Sequence, residues 1–129
     1  MKKQVRCFVK MIKTSPRKLN LVAGTIRKKS VGNAINSLVL SKKRIAEVVR
    51  KAVLSAVANA ENNYGLNPEK LEIVEAYVGK AMTLKRIRAG SRGQAKKILK
   101  PFASLTVVVA EKTIEKKKKK VSRVEKKLS

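Results

Sequence analysis

The chain has 129 residues, 43% of them hydrophobic, and its 33 lysines and arginines against 8 acidic residues give a formal net charge of +25. That is length and apolar content for one core, but such a charge opposes compaction unless a polyanion neutralises it, and nucleic acid is the expected partner. With no histidine, no aspartate and a single cysteine, Cys7, the chain has no means for imidazole catalysis, Cys/His zinc binding or an internal disulfide.

The first predicted element is a strand in which Val5, Cys7, Val9 and Met11 alternate with Arg6, Phe8, Lys10 and Ile12, one face mostly apolar, with Arg6, Lys10 and Lys13 as its cations. Ser15 then reads as a helix N-cap with Pro16 at the first helical position. Leu19, Val22, Ala23 and Ile26 follow at helical spacing, which predicts an amphipathic helix packed through one stripe. A short second helix fits Val31 to Val39. Ser41 is expected to cap a third, whose face is Ile45, Val48, Val49, Ala52, Val53, Ala56 and Ala60. The small residues of "SAVANA" suit close packing of that helix on a sheet. It should stop near "ENNYGLNP", where Asn63, Gly65 and Pro68 are turn and breaker residues.

From Leu71 the pattern changes to strand. In "LEIVEAYV" the alternation slips by one at Ile73-Val74, the signature of a bulge. "ASLTVVVA", Ala103 to Ala110, is the clearest strand of the chain. Between the two lies "TLKRIRAGSRGQAKKILKP", in which cations accumulate without one acid between Glu75 and Glu111. Two strands joined through the glycine-containing loop Gly90 to Gly93 form a predicted hairpin. From Tyr77 to that loop an extended chain reaches about 45 Å, whereas a compact body of this size has a radius of gyration near ~13 Å. The hairpin must project. The reading is therefore a single α+β domain over residues 1–112, with its hairpin at about 79–102, and a lysine-rich tail at 113–129 too poor in apolar residues to fold alone.

An isolated two-stranded ribbon is marginal in water, and this one also repels itself. It makes sense when anions surround it. Lys80, Lys85, Arg86, Arg88, Arg92, Lys96, Lys97 and Lys100 are the expected phosphate ligands of the arm, with Arg17 and Lys18 contributing from the first helix. Gly90, Ser91, Arg92, Gly93 and Gln94 form its tip. The chain lacks zinc-finger spacing, basic-region heptads and an aromatic ladder, which leaves recognition of shape and backbone, as in folded RNA. An architectural DNA-binding protein with a basic β-arm is the alternative, although the tip carries no apolar wedge. A membrane-surface role would need large apolar residues opposite the lysines, and the third helix offers mainly alanine and valine.

The runs "SPRKLNLVAGTIRKKSV", "SAVANAENNYGL", "TLKRI", "GQAKKILK" and "LTVVV" occur in the order, and near the spacings, of one family. Over nearly everything but the tail, the chain resembles the bacterial-type large-ribosomal-subunit protein twenty-two family. The resemblance implies three helices on a three-stranded sheet with a long protruding β-hairpin, and no enzymatic activity or cofactor. It implies binding to large-subunit ribosomal RNA, support of assembly, and a hairpin tip that lines the polypeptide exit tunnel beside the nascent polypeptide. Neighbouring large-subunit ribosomal proteins are implied as further partners, in a ribosome-bound, cytoplasmic setting that is bacterial or organellar and involves no membrane. Gly79-Lys80, Gly90, Gln94, Pro101 and Ser104 depart from the family's usual residues.

Overall fold

The structure, a computed structural model, describes residues 3–112. The elements run β1 (Gln4–Ile12), α1 (Pro16–Ile26), α2 (Val31–Leu40), α3 (Ile45–Tyr64), β2 (Leu71–Ala89) and β3 (Ala95–Glu111). The fold is α+β. The tail expected over residues 113–129 lies outside the described residues.

α1 starts as its sequence requires. The Ser15 hydroxyl accepts the Lys18 N–H at 3.4 Å, Pro16 opens the helix, and the stripe Leu19, Val22, Ala23 and Ile26 is buried. The chain leaving α1 then closes an edge of the sheet. Lys28 N–H donates to the Ile73 carbonyl and Ile73 N–H to the Lys29 carbonyl, each at 2.9 Å. Arg27 Nε adds a 2.7 Å bond to the Ala76 carbonyl, so β2 does not leave this edge unpaired.

Ser41 does not cap α3. Its N–H bonds the Leu38 carbonyl at the end of α2, and its hydroxyl accepts from Lys43 N–H at 3.4 Å. The connection through Arg44 intervenes, and α3 begins at Ile45 without a side-chain cap. Its apolar face is otherwise as its spacing predicts, with Val49, Val53, Ala56 and Ala60 fully buried and Val48 packed at the margin. The helix ends at Gly65, which adopts φ 60, and Leu66 N–H returns to the Ala60 carbonyl at 3.1 Å. A Cβ at Gly65 would meet no atom within 4 Å, so substitution there carries only the conformational cost of the left-handed region. Gly65→Ala is expected to lower stability by about 1–2 kcal/mol, and Gly65→Asn by less. Chemical denaturation checks the order; equal losses for both would show that a steric clash decides.

The sheet is antiparallel with order β1-β3-β2. Val5, Cys7, Leu105, Val107, Val109, Leu71, Ile73 and Ala76 form its inner face, and together with the helical stripes they make one core. The expected alternation of β1 fails at its end. The register shifts between Val9 and Ile12, Met11 takes φ 54, and Ile12 rather than Met11 turns inward. The slip in β2 is present as a register shift between Ile73 and Glu75. On the outer face Thr106 and Val108 are buried by side chains of the flanking strands, Phe8 and Tyr77 beside the first, Arg6 and Glu75 beside the second.

Candidate nucleic-acid interface

Beyond the body, β2 and β3 continue alone as a two-stranded ribbon. From Tyr77 to Phe102 no residue is buried. The ribbon therefore has no core, only its ladder of backbone hydrogen bonds. A second register shift, between Lys80 and Thr83, marks its start, and pairing then runs unbroken from Thr83↔Pro101 to Ala89↔Ala95. From Lys80 to the turn this amounts to about 30 Å of extended chain.

The register sorts the charges. Residues directly opposite each other in an antiparallel pair share a face. One face carries Leu84↔Lys100, Arg86↔Ile98 and Arg88↔Lys96; the other carries Lys85↔Leu99 and Ile87↔Lys97. Along the shaft each cation faces an aliphatic side chain, and like charges meet only on diagonals. The exception is Arg88 and Lys96, nearest the turn, where two cations stand opposite each other and weaken the pairing. Both faces of the ribbon are thus cationic. Between the charges Ile87 is 76% exposed and Leu99 59%, so the surface is cationic and aliphatic by turns.

The turn is tight. Gly90 N–H donates to the Gln94 carbonyl at 2.7 Å, and Arg92 and Gly93 take positive φ values of 58 and 70. Ser91, Arg92, Gly93 and Gln94 are exposed, and Arg92 is the loop's one charged side chain. A Cβ on Gly90 would stand 2.9 Å from the Gln94 carbonyl oxygen, so this position takes a side chain only if the turn opens.

Among the described residues one side-chain ion pair forms, between Arg50 and Glu47 at 2.6 Å on the surface of α3. The hydrogen bond from Arg50 is the main cause holding the Glu47 carboxyl below its ordinary range. The other described acids stand away from the ribbon. Glu61, Glu69, Glu72, Glu75 and Glu111 lie at the C-terminal end of α3, in the Pro68–Lys70 turn, at the start of β2 and at the end of β3. Among the described residues the arm therefore carries cations and no carboxylate.

Arg17 and Lys18 are exposed on the first turn of α1, apart from the tip. Lys18 does meet the arm at its root. A groove of about 720 Å³ opens there between the start of α1, the loop before α3 and the base of β3. Lys13, Lys18, Lys43, Arg44 and Lys100 line it together with Leu21, Val22, Ile45, Leu99 and Pro101. Arg44 Nη2 donates to the Lys13 carbonyl at 3.4 Å, tying two of its walls. Arg17 is not among the lining residues. Sequence reading missed Lys43 and Arg44 as members of this site. The available signal was that both helix entries are basic in a stretch where no acid occurs before Glu47. Among the described residues no group of acidic, histidine and cysteine side chains could hold a metal ion, and no helix is long and apolar enough to cross a membrane.

Comparison with known proteins bears on this arrangement. Residues 8–110 match the model of the family described as ribosomal protein L22p/L17e. A relative from Rhodospirillum rubrum, named large ribosomal subunit protein uL22, is 55% identical over 109 residues, covering 84% of this chain and 86% of the relative. Relatives of the same name from Methylobacterium sp. and Maricaulis maris are 54% and 53% identical over 108 residues, each covering 84% of this chain and 85% and 86% of their own lengths.

Proposed function

The chain belongs to the ribosomal protein L22p/L17e family, and we propose that it is a structural constituent of the large ribosomal subunit whose arm is enclosed by large-subunit ribosomal RNA. It is a ribosomal protein, not an enzyme. The observation that carries the arm's role is a ribbon with cations on both faces and no buried residue from Tyr77 to Phe102. A surface-bound strand pair would need cations on one face only. Phosphates on both sides remove the repulsion between Arg88 and Lys96, and between the diagonal cations of the shaft. Lys80, Lys85, Arg86, Arg88, Lys96, Lys97 and Lys100 are the phosphate ligands of this reading. Arg17 and Lys18 extend the contact onto the body.

The tip formed by Gly90, Ser91, Arg92, Gly93 and Gln94 lines the polypeptide exit tunnel beside the nascent chain. In support, the loop is narrow, closed on itself by the Gly90–Gln94 bond, and presents small polar groups around one cation. An arm that reaches several RNA segments at once also supports assembly. Neighbouring ribosomal proteins are then the partners of the remaining body surface, and the lysine-rich stretch at 113–129 adds sequence-independent affinity.

Hydrogen exchange tests the reading. Amides of residues 83–100 are expected to exchange quickly in the free protein and slowly in large subunits that retain the chain through a high-salt wash. Equal protection in the two states would mean that the ribbon supports itself, and the RNA-enclosed arm would have to be given up.

A further inference from the structure

We propose that the groove at the root of the arm is a nucleotide site, receiving one base extruded from its RNA strand while the flanking phosphates rest on the rim. The proposal rests on the RNA-binding reading above and deepens it. Phosphates alone require only exposed cations, which this surface offers almost everywhere. The groove differs in combining five cations and no acid with an aliphatic floor. Leu21 and Leu99 are 61% and 59% exposed there, large apolar side chains left uncovered between Lys18, Lys43, Arg44 and Lys100. The complementary ligand has a flat apolar body edged by negative charge. An unstacked nucleotide in a single-stranded segment has that form.

Size agrees. A groove of about 720 Å³ falls within the roughly 300–1,000 Å³ of small-ligand sites. No aromatic residue lines it, so the base is held by burial of its faces against Leu21, Ile45, Leu99 and Pro101 rather than by ring stacking. Tolerance of base identity follows, because aliphatic contact carries no hydrogen-bond code. Two of the three segments that form the groove are held in place by the body. Ser15 caps α1 and Arg44 bonds the Lys13 carbonyl, whereas Leu99, Lys100 and Pro101 pair only with β2, at the start of the ribbon. The walls from α1 and the loop before α3 are therefore in place before RNA arrives, and the ribbon wall is fixed when RNA orders the arm.

The test uses the full chain with labelled methyl groups at low salt, titrated with triadenylate and with the same trinucleotide made abasic at its centre. Triadenylate is expected to bind about tenfold more tightly and to shift the methyl resonances of Leu21, Val22, Ile45 and Leu99 through the ring current of the base. Leu21→Asn, at an exposed position, should erase that preference while leaving the affinity for the abasic strand unchanged. Lys43→Glu should weaken both strands alike. Equal affinity of the two strands overturns the proposal, as does a preference that survives Leu21→Asn. Saturable binding of an acidic, leucine-containing peptide at these methyls, with none of triadenylate, would assign the groove to a protein instead. If neither strand binds while large-subunit ribosomal RNA does, the nucleotide site falls and the RNA-enclosed arm stands. If ribosomal RNA also fails to bind, both fall together.

Discussion

Replacing Lys85, Arg86 and Lys97 together by glutamate is expected to block stable incorporation into the large subunit while leaving the body folded. All three side chains are exposed, and each stands opposite an aliphatic partner, Leu99, Ile98 and Ile87 respectively. No buried contact is lost. Each reversal removes a cation and, in an arm enclosed by RNA as proposed, would place an anion beside phosphate, on both faces of the ribbon at once. With three phosphate contacts gone, the dependence of log affinity on log salt should become shallower by about 2–3, and affinity at low salt should fall roughly hundredfold to thousandfold. The free ribbon does not suffer equally, because a carboxylate in place of the Arg86 guanidinium lies diagonal to Lys96 and Lys100. A loss of RNA binding with unchanged circular dichroism thus isolates the charge. A triple variant with wild-type affinity and salt slope would move the RNA contact away from the arm.

Val53→Asp is expected to have the opposite signature, loss of the fold itself. Val53 is fully buried on the inner face of α3, among the alanines that bring this helix close to the sheet. A carboxylate there has no cation within the core, and an uncompensated buried charge costs about 3–5 kcal/mol. Bodies of this size are stable by roughly 5–15 kcal/mol in total, and self-repulsion among so many lysines draws on that margin. Helical circular dichroism should be lost or its thermal midpoint sharply lowered. Leu54→Asp, one position along and 42% exposed, should fold normally. If Val53→Asp kept the native midpoint, the buried face of α3 would be wrongly assigned.

The contrast between these variants follows a division in what the amino-acid sequence makes legible. Local signals work where local physics decides. Ser15 and Pro16 mark the start of α1, the stripes of α1 and α3 mark their buried faces, and the slip at Ile73-Val74 is a bulge. They fail where a distant segment decides. Met11 continues the alternation of β1, but the register shift against β3 turns it out and Ile12 in. Ser41 has the chemistry of a cap, yet it lies at the end of α2, which leaves α3 to begin uncapped. The edge seal formed by Lys28 and Lys29 is too short to show any periodicity. The arm's cations can be read directly because they are contiguous. The groove cannot, since Lys13, Lys18, Lys43 and Lys100 meet only after folding.

The position of β3 in the centre of the sheet has a mechanical consequence. Both strands of the ribbon run straight into the body, so a pull on the tip is carried along two covalent backbones to the sheet. There β3 is gripped by β1, and β2 by the segment after α1 together with the Arg27 bond to the Ala76 carbonyl. Antiparallel hydrogen bonds lie across the strands. A force along the arm therefore loads all the rungs of a ladder in shear, from Gln4↔Ala110 to Val9↔Leu105, and none can open ahead of the rest. A pull on the tip therefore reaches the body as tension along its strands. The arm is rooted like a tie rod, stiff against withdrawal and free to flex sideways where the register shifts between Lys80 and Thr83.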